Sequence, residues 1–437
     1  MISNRQHRDI LVTVLLCVAT VFVSVVFFRG GSSADLVATY FAGQEYAAGH
    51  FDRIYPSDSQ VFDLSYPDSW RALALDHGLG DMPLFPYIYP PLWAALAAPV
   101  TGWSTPQSIF TAATILNPLL LVGTICLAWR AARPAIALPT WTALGILATF
   151  PTLIGFIALH QNQPQILVSF LIVLALERNR SGDKISAGAA MALAASIKLY
   201  PILFIIVWLA RRDWVTVKWF ALTGVLLAAA SLWLGGVALN LTFLRQVTTI
   251  NNTVMITQLT INLDSFLGQF LLQETLTQNA QAAPGMITST GLHSAKPFLF
   301  GLISKFALLL VLVATWRHAQ RASDAELYKR LWPGLLLLIS IFSPLSWSYH
   351  FISMGAFLPL LLAQGIHSFR FWGALVVLLA ISVPGVSYLA SLPAPFFLVQ
   401  AVATLGFGFL AALFLLPTTK NTREFPTRNW ELNPSAH

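Results

Sequence analysis

The chain has 437 residues, 56% of them hydrophobic and only 10% charged, with a formal net charge of +7. Soluble domains carry about 25% charged residues, so a wholly water-facing surface is excluded and most of the surface must meet lipid. The basic residues sit in short runs between apolar stretches, as the positive-inside rule describes, and this excludes a nucleic-acid partner.

In chain order, Arg5, His7 and Arg8 precede an apolar run of 19 residues, Ile10 to Phe28. The h-region of a cleaved signal peptide is about 7–15 residues, so the run reads as an uncleaved signal anchor, against the alternative of cleavage near Ser33-Ala34. A span needs about 20 apolar residues. Hydropathy, limited by charge and proline, places spans at about 10–28, 106–129, 137–157, 163–177, 185–197, 199–211, 216–236, 297–316, 330–342, 350–366, 370–390 and 394–416. The pair 185–197 and 199–211 reads as two short helices meeting near mid-depth, and 91–100 as a stretch dipping into the membrane. The expected fold is an all-α polytopic membrane protein of about 12 transmembrane helices. Residues 1–417 form one integral-membrane domain and 418–437 a short cytoplasmic tail. Cys17 and Cys126 lie in apolar stretches and read neither as a disulfide nor as metal ligands.

With both termini in the cytoplasm, 18 of the 25 Lys and Arg residues fall on inner segments. The expected location is therefore the cytoplasmic membrane, with two long outer loops at 29–90 and 237–296. The first loop is acidic and aromatic. Its Leu36–Ala48 stretch has helical spacing and reads as an interfacial helix, while Asp58, Asp63, Asp68, Asp76 and Asp81 lack EF-hand spacing and read as solvated charges.

Ionisable groups at membrane depth are expensive and therefore candidates for function. Four places qualify, all expected at the outer face. Asp35 follows the first span and suits a general base, although Ser32-x-x-Asp35 also fits a capping box. Tyr87-Ile88-Tyr89-Pro90-Pro91 marks re-entry into the membrane, where Tyr89 is either a site residue or an aromatic-belt anchor. His160-Gln161-Asn162-Gln163-Pro164-Gln165 opens a span, and its amides serve either a substrate or helix–helix hydrogen bonds. Lys198, in Lys198-Leu199-Tyr200-Pro201, either holds a lipid-linked phosphate or snorkels to the interface. The fourth place is Ser343-Pro344-Leu345-Ser346-Trp347-Ser348-Tyr349-His350. There His350 suits a phosphate or sugar hydroxyl and Trp347 a sugar face, although a lone interfacial His is usually unremarkable. No dinucleotide fold fingerprint, P-loop, H-E-x-x-H or C-x-x-C is present.

From Asp35 to His350 the order of these motifs resembles the integral-membrane mannosyltransferases of glycosyltransferase family 87, of the GT-C class, which include phosphatidylinositol-mannoside mannosyltransferases. Asp35, Tyr40 and Tyr89-Pro90-Pro91 match the family pattern. Of its Gly-Gln-x-Asn only Gln161 matches. Its Lys-Pro-x-Pro reads Lys198-Leu199-Tyr200-Pro201, and Tyr349 replaces the first His of its Ser-Pro-x-Ser-Trp-x-His-His. The resemblance implies a GT-C-like bundle that transfers a monosaccharide, mannose in the family, from a polyprenyl phosphate to a lipid or glycan acceptor, with inversion, on the extracytoplasmic face. It implies Asp35 as base, Lys198 and His350 at the leaving phosphate, and Tyr40, Tyr89, Gln161 and Trp347 as positioning groups. No cofactor is implied beyond the donor, and no metal.

The main rival is a secondary transporter of a polar or anionic solute. Transporters commonly show repeated halves with mid-membrane sites, whereas here the polar clusters share one face. A polymerase or ligase acting on diphosphate-linked glycans is expected to carry an outer arginine cluster, which is missing, and a purely structural subunit needs no such convergence of charge.

Overall fold

A backbone in lipid must satisfy its own N–H and C=O groups, which makes helix the default for an apolar chain. The computed structural model describes residues 4–31, 33–56, 66–272, 274–275, 291–394 and 397–416. Ser32, and with it the proposed capping box, lies outside the described residues, as do Asp58, Asp63 and the tail from 417.

The chain opens with α1 (Asn4–Phe28), long and apolar enough to cross a membrane, with Leu15, Phe22 and Val23 exposed for lipid. Then come α2 (Ala34–Ala47), α3 (Ser69–Asp76) and α4 (Pro91–Thr101). α2 packs on α4, and Phe41, Ile54, Tyr55, Trp70 and Tyr87 are buried in the same cluster. Each buried Phe or Ile contributes about 1.5–3 kcal/mol, and the Trp70 indole donates to the Arg53 carbonyl at 3.0 Å. The described part of the first long loop is thus a packed cap, not a tether.

α5 (Pro106–Ala132) is a second crossing helix, started by a Thr105 capping box with Pro106 in its first turn. It is followed by α6 (Leu138–Thr149), α7 (Leu153–His160), α8 (Gln165–Ser181) and α9 (Lys184–Ile197). A 3₁₀ turn (Tyr200–Phe204) and α10 (Ile205–Ala210) lead into α11 (Trp214–Asn251), a third crossing helix. After it come β1 (Thr253–Ile256), α12 (Leu263–Leu271) and β2 (Leu292–Ala295), and β1 and β2 pair antiparallel. α13 (Phe298–Arg321) is a fourth crossing helix. A π-helical turn (Leu327–Leu331) joins it to α14 (Trp332–Phe342). The chain ends with α15 (Phe369–Ile381), α16 (Val383–Ser391) and a fifth crossing helix, α17 (Leu398–Leu415).

The described chain is thus a helical membrane protein carrying one small β-ribbon. Among the described residues, five helices reach full crossing length; other expected spans are built from shorter pieces. The span expected at 137–157 breaks around Pro151, which has no N–H to give, and that at 370–390 breaks at Ser382. The two breaks face each other: Val383 N–H donates to the Pro151 carbonyl at 2.9 Å, and Thr152 and Ser382 form an isolated β-bridge. Each interruption therefore supplies part of what the other lacks.

The span expected to end at 236 does not end there. Gly236 takes φ 66° and kinks α11, which then continues to Asn251. Carbonyls near the kink find side-chain donors: Tyr46 Oη bonds Leu234 O at 2.7 Å, and Asn240 Nδ2 bonds Ser231 O and Gly236 O. The second long loop is accordingly shorter than the expected 237–296 by about four helical turns.

The segments 185–197 and 199–211 form the expected pair of short helices. Lys184 at the start of α9 and Asp213 beyond α10 make a 2.7 Å ion pair, so the hairpin leaves and returns at the same end of the bundle. α9 packs against α8 and α11, and its buried residues are mostly small: Ala187, Gly188, Ala190, Ala192, Ala194 and Ala195. A Cβ on Gly188 would lie 2.6 Å from Phe220 N and Thr216 O, so only glycine lets α9 seat this closely on α11.

Candidate active site

Lys198 stands at the tip of that hairpin. Its backbone is extended (φ −132°, ψ 133°), and this breaks α9 just where the ammonium is presented. The break frees the Ser196 carbonyl, and Trp93 of α4 donates its indole N–H there at 2.6 Å. Around the ammonium, Lys198 Nζ lies 5.1 Å from the Tyr349 ring centroid and 5.9 Å from that of Tyr89. Such cation–π contacts are worth about 0.5–2 kcal/mol. They hold the charge in place without neutralising it, leaving it available to an anion.

Asp35 enters from α2, in its first turn, outside the membrane-crossing helices. It and Lys198 feel each other's charge without closing into a contact ion pair among the described residues. Burial pushes the Asp35 carboxyl up to about 6, with the Lys198 ammonium pulling the other way. Gln163, itself fully buried, donates from Nε2 to Asp35 Oδ2 and approaches Gln161 Oε1 at 3.3 Å.

The turn between α7 and α8 sets that amide. Asn162 adopts φ 49° and Ser33 φ 46°, left-handed conformations that cost a non-glycine residue roughly 1–3 kcal/mol. They are tied together: Asn162 Nδ2 donates to Ser33 Oγ at 2.8 Å and Thr114 Oγ1 at 3.0 Å, while Asn117 Nδ2 donates to Asn162 Oδ1 at 3.0 Å. The Ser33 hydroxyl thus accepts from Asn162 and makes no helix-cap bond for α2. Gly31 passes so close that a Cβ there would lie 2.3 Å from the His160 carbonyl oxygen.

The fourth wall is the 3₁₀ turn Ser348–Phe351. His350 Nδ1 lies 2.9 Å from Trp347 N and 3.2 Å from Trp347 O. The shorter contact has Nδ1 accepting, which leaves the ring proton on Nε2 and makes that nitrogen a donor. The Tyr349 ring stacks on Trp347 at 6.3 Å and on His350 at 5.1 Å. The loop after β1 braces this turn, with Ile261 N–H on Ser346 O at 2.7 Å and Ser348 N–H on Leu259 O at 2.9 Å.

Of the residues singled out in the sequence, Asp35, Tyr89, Gln161, Lys198, Trp347 and His350 thus gather at one end of the bundle. Tyr40 does not join them: its hydroxyl donates to the Ser104 carbonyl at 2.7 Å, tying α2 to the end of α4. Two members of the cluster were not singled out individually. Gln163 was one amide among several, and Tyr349 stood out only as a departure from a motif.

The arrangement offers an anionic acceptor of protons opposite a lysine cation and a histidine N–H, between aromatic walls. That suits removing a proton from a hydroxyl while stabilising negative charge on a departing group. The sequence model of glycosyltransferase family 87 matches residues 87–344. Asp35 lies before the matched region and Trp347 and His350 just beyond it. A curated relative from Mycolicibacterium smegmatis, the polyprenol-phosphate-mannose-dependent alpha-(1-2)-phosphatidylinositol mannoside mannosyltransferase, is 27% identical over 320 residues. The match covers 68% of this chain and 65% of the relative.

Proposed function

This chain belongs to glycosyltransferase family 87, and from that premise we propose that it transfers mannose from a polyprenyl-phosphate donor to a lipid or glycan hydroxyl, on the extracytoplasmic face of the cytoplasmic membrane. The observation that carries the reading is the convergence of Asp35, held by Gln163, with Lys198 set against the Tyr89 and Tyr349 rings and His350 stacked on Tyr349, all from distant segments. The relative's dependence on polyprenol-phosphate-mannose supports the donor class.

The reaction balances with donor and acceptor alone. Asp35 takes the proton of the acceptor hydroxyl, whose oxygen attacks the anomeric carbon. The bond from that carbon to the phosphate oxygen breaks, and the electron pair leaves with the polyprenyl phosphate. Lys198 and the His350 Nε2–H meet the charge that develops there. Attack opposite the leaving group inverts the centre, so a β-linked donor gives an α-linked product. Gln161, Tyr89 and Trp347 keep positioning roles in this reading, Gln163 orients the base, and Tyr40 serves only to fix α2 on α4. The sidedness rests on charge. The basic residues expected inside, Arg130, Arg178, Arg180, Lys184 and Arg211, make ion pairs with Glu177, Asp213 and Asp324 at the end of the bundle away from this cluster.

The direct test is incubation of the purified protein with labelled polyprenyl-phosphate-mannose and a lipid extract. A labelled lipid or glycan is expected, and released free mannose alone would overturn the assignment. The rate should also show an acid limb near pH 6, because the base is inactive once Asp35 is protonated. Activity is therefore lost as pH falls through 6 and retained above it, and a flat rate from pH 5 to 7 would remove Asp35 from the role. A third expectation concerns Gly31. Gly31→Ala must push the His160–Gln163 turn off Asp35, and misplacement by about 1 Å costs about 10²-fold. The rate should fall by that order while thermal unfolding shows a folded protein.

A further inference from the structure

The opposite end of α8 carries a second polar site, distinct from the first. From Gln165 to Ser181 the helix has 17 residues, about 25 Å of rise, so no substrate group at Asp35 reaches it. There a cavity of about 330 Å³ is lined by Arg180, Lys184, Trp208, Arg211, Asp213 and Asp324, with Tyr328 beneath. That volume lies at the lower end of small-molecule sites, about 300–1,000 Å³.

Three cations face two carboxylates, which leaves one net positive charge. Asp324, largely exposed, joins the two arginines: Arg180 Nη1 at 2.7 Å and Arg211 Nη2 at 2.9 Å. Asp213 takes Lys184 at 2.7 Å and Asn179 Nδ2 at 2.8 Å. The Arg180 guanidinium is held over the Tyr328 ring, 5.1 Å from its centroid, and Tyr328 Oη donates to Asn179 Oδ1 at 2.7 Å.

Two donors in this wall have no acceptor among the described residues: Arg180 Nε–H and the indole N–H of Trp208, a residue only 2% exposed. A buried unpaired donor costs about 1–3 kcal/mol. The cavity therefore offers two unpaired donors, a planar guanidinium fork and one net positive charge, while its carboxylates, Asp213 and Asp324, are already engaged by Lys184 and the two arginines. Basic pockets between membrane helices are suited to lipid phosphates, and the arginine fork matches a tetrahedral oxyanion.

We propose that this cavity binds a phosphate group, supplied by an anionic lipid headgroup or as free phosphate, with Arg180 and Trp208 as its principal donors. The test uses the full-length protein in phosphatidylcholine nanodiscs, in two arms. One adds inorganic phosphate; the other includes phosphatidic acid in the nanodisc. The readouts are the thermal unfolding midpoint and, in the second arm, lipid retained in native mass spectrometry. The wild type should gain stability in at least one arm, and the arm that responds identifies the source. Trp208→Phe and Arg180→Lys should each raise the half-saturating concentration about tenfold, the loss of one charge-assisted bond. Arg180→Lys keeps the charge that meets Asp324 and removes only the fork, so it carries the test if Trp208→Phe does not fold. Absence of a response in both arms, or an unchanged response in the folded variants, overturns the proposal.

Discussion

Asp35→Asn should slow mannosyl transfer by about 10²–10⁴-fold in kcat, the usual contribution of a positioned base. The protein should remain folded, because the side-chain carbonyl of Asn still accepts from Gln163 Nε2, the bond that Asp35 Oδ2 makes now. Donor binding should be unchanged or tighter, since Lys198 then faces the phosphate without a competing carboxylate. Single-turnover rates with labelled donor, alongside equilibrium donor binding, separate these effects. Transfer by Asp35→Asn at near the wild-type rate would show that proton removal is carried elsewhere.

Lys198→Ala should act on both binding and rate. A charge-assisted hydrogen bond is worth about 1.5–3 kcal/mol, so donor affinity should fall about 10–150-fold. Loss of a donor aimed at developing charge costs about 10²–10³ in kcat. A further signature belongs to the coupling itself. The ammonium holds the Asp35 carboxyl lower than burial alone would place it. Without the ammonium the acid limb should move above pH 6, whereas a purely structural lysine would leave the limb in place. Donor binding that survives the substitution unchanged would remove Lys198 from the phosphate.

Much of this was legible in the chain. Apolar runs and basic flanks marked the helices, and the order of Asp35, Tyr89, Lys198 and His350 marked residues that the fold gathers at one end. The half-helix pair around Lys198 was visible because a cation and Pro201 interrupt an apolar stretch. What escaped was what hydropathy averages away. A break at Pro151 or Ser382 barely changes the mean over twenty residues, and the span expected at 216–236 stops at Gly236, where the helix only kinks. Gln163 was hidden for a different reason. Which amide of His160–Gln165 meets Asp35 depends on the left-handed turn at Asn162, and that turn is fixed by contacts to Ser33, Thr114 and Asn117, far off in sequence. Tyr349 departs from the family motif in sequence, yet its ring is the nearer of the two aromatic faces on Lys198.

The facing breaks of α6–α7 and α15–α16 bear on how the protein is made. Pro151 precedes Val383 by 232 residues, so at about 5–20 residues per second the first break waits roughly 12–46 s for its partner to be synthesised. During that time the Pro151 carbonyl cannot rest bare in hydrocarbon. The early helices must therefore stay beside the insertion machinery, or in contact with water, until the last third of the chain has entered. Ribosome stalling between these two points should leave an intermediate whose α6–α7 break is still open.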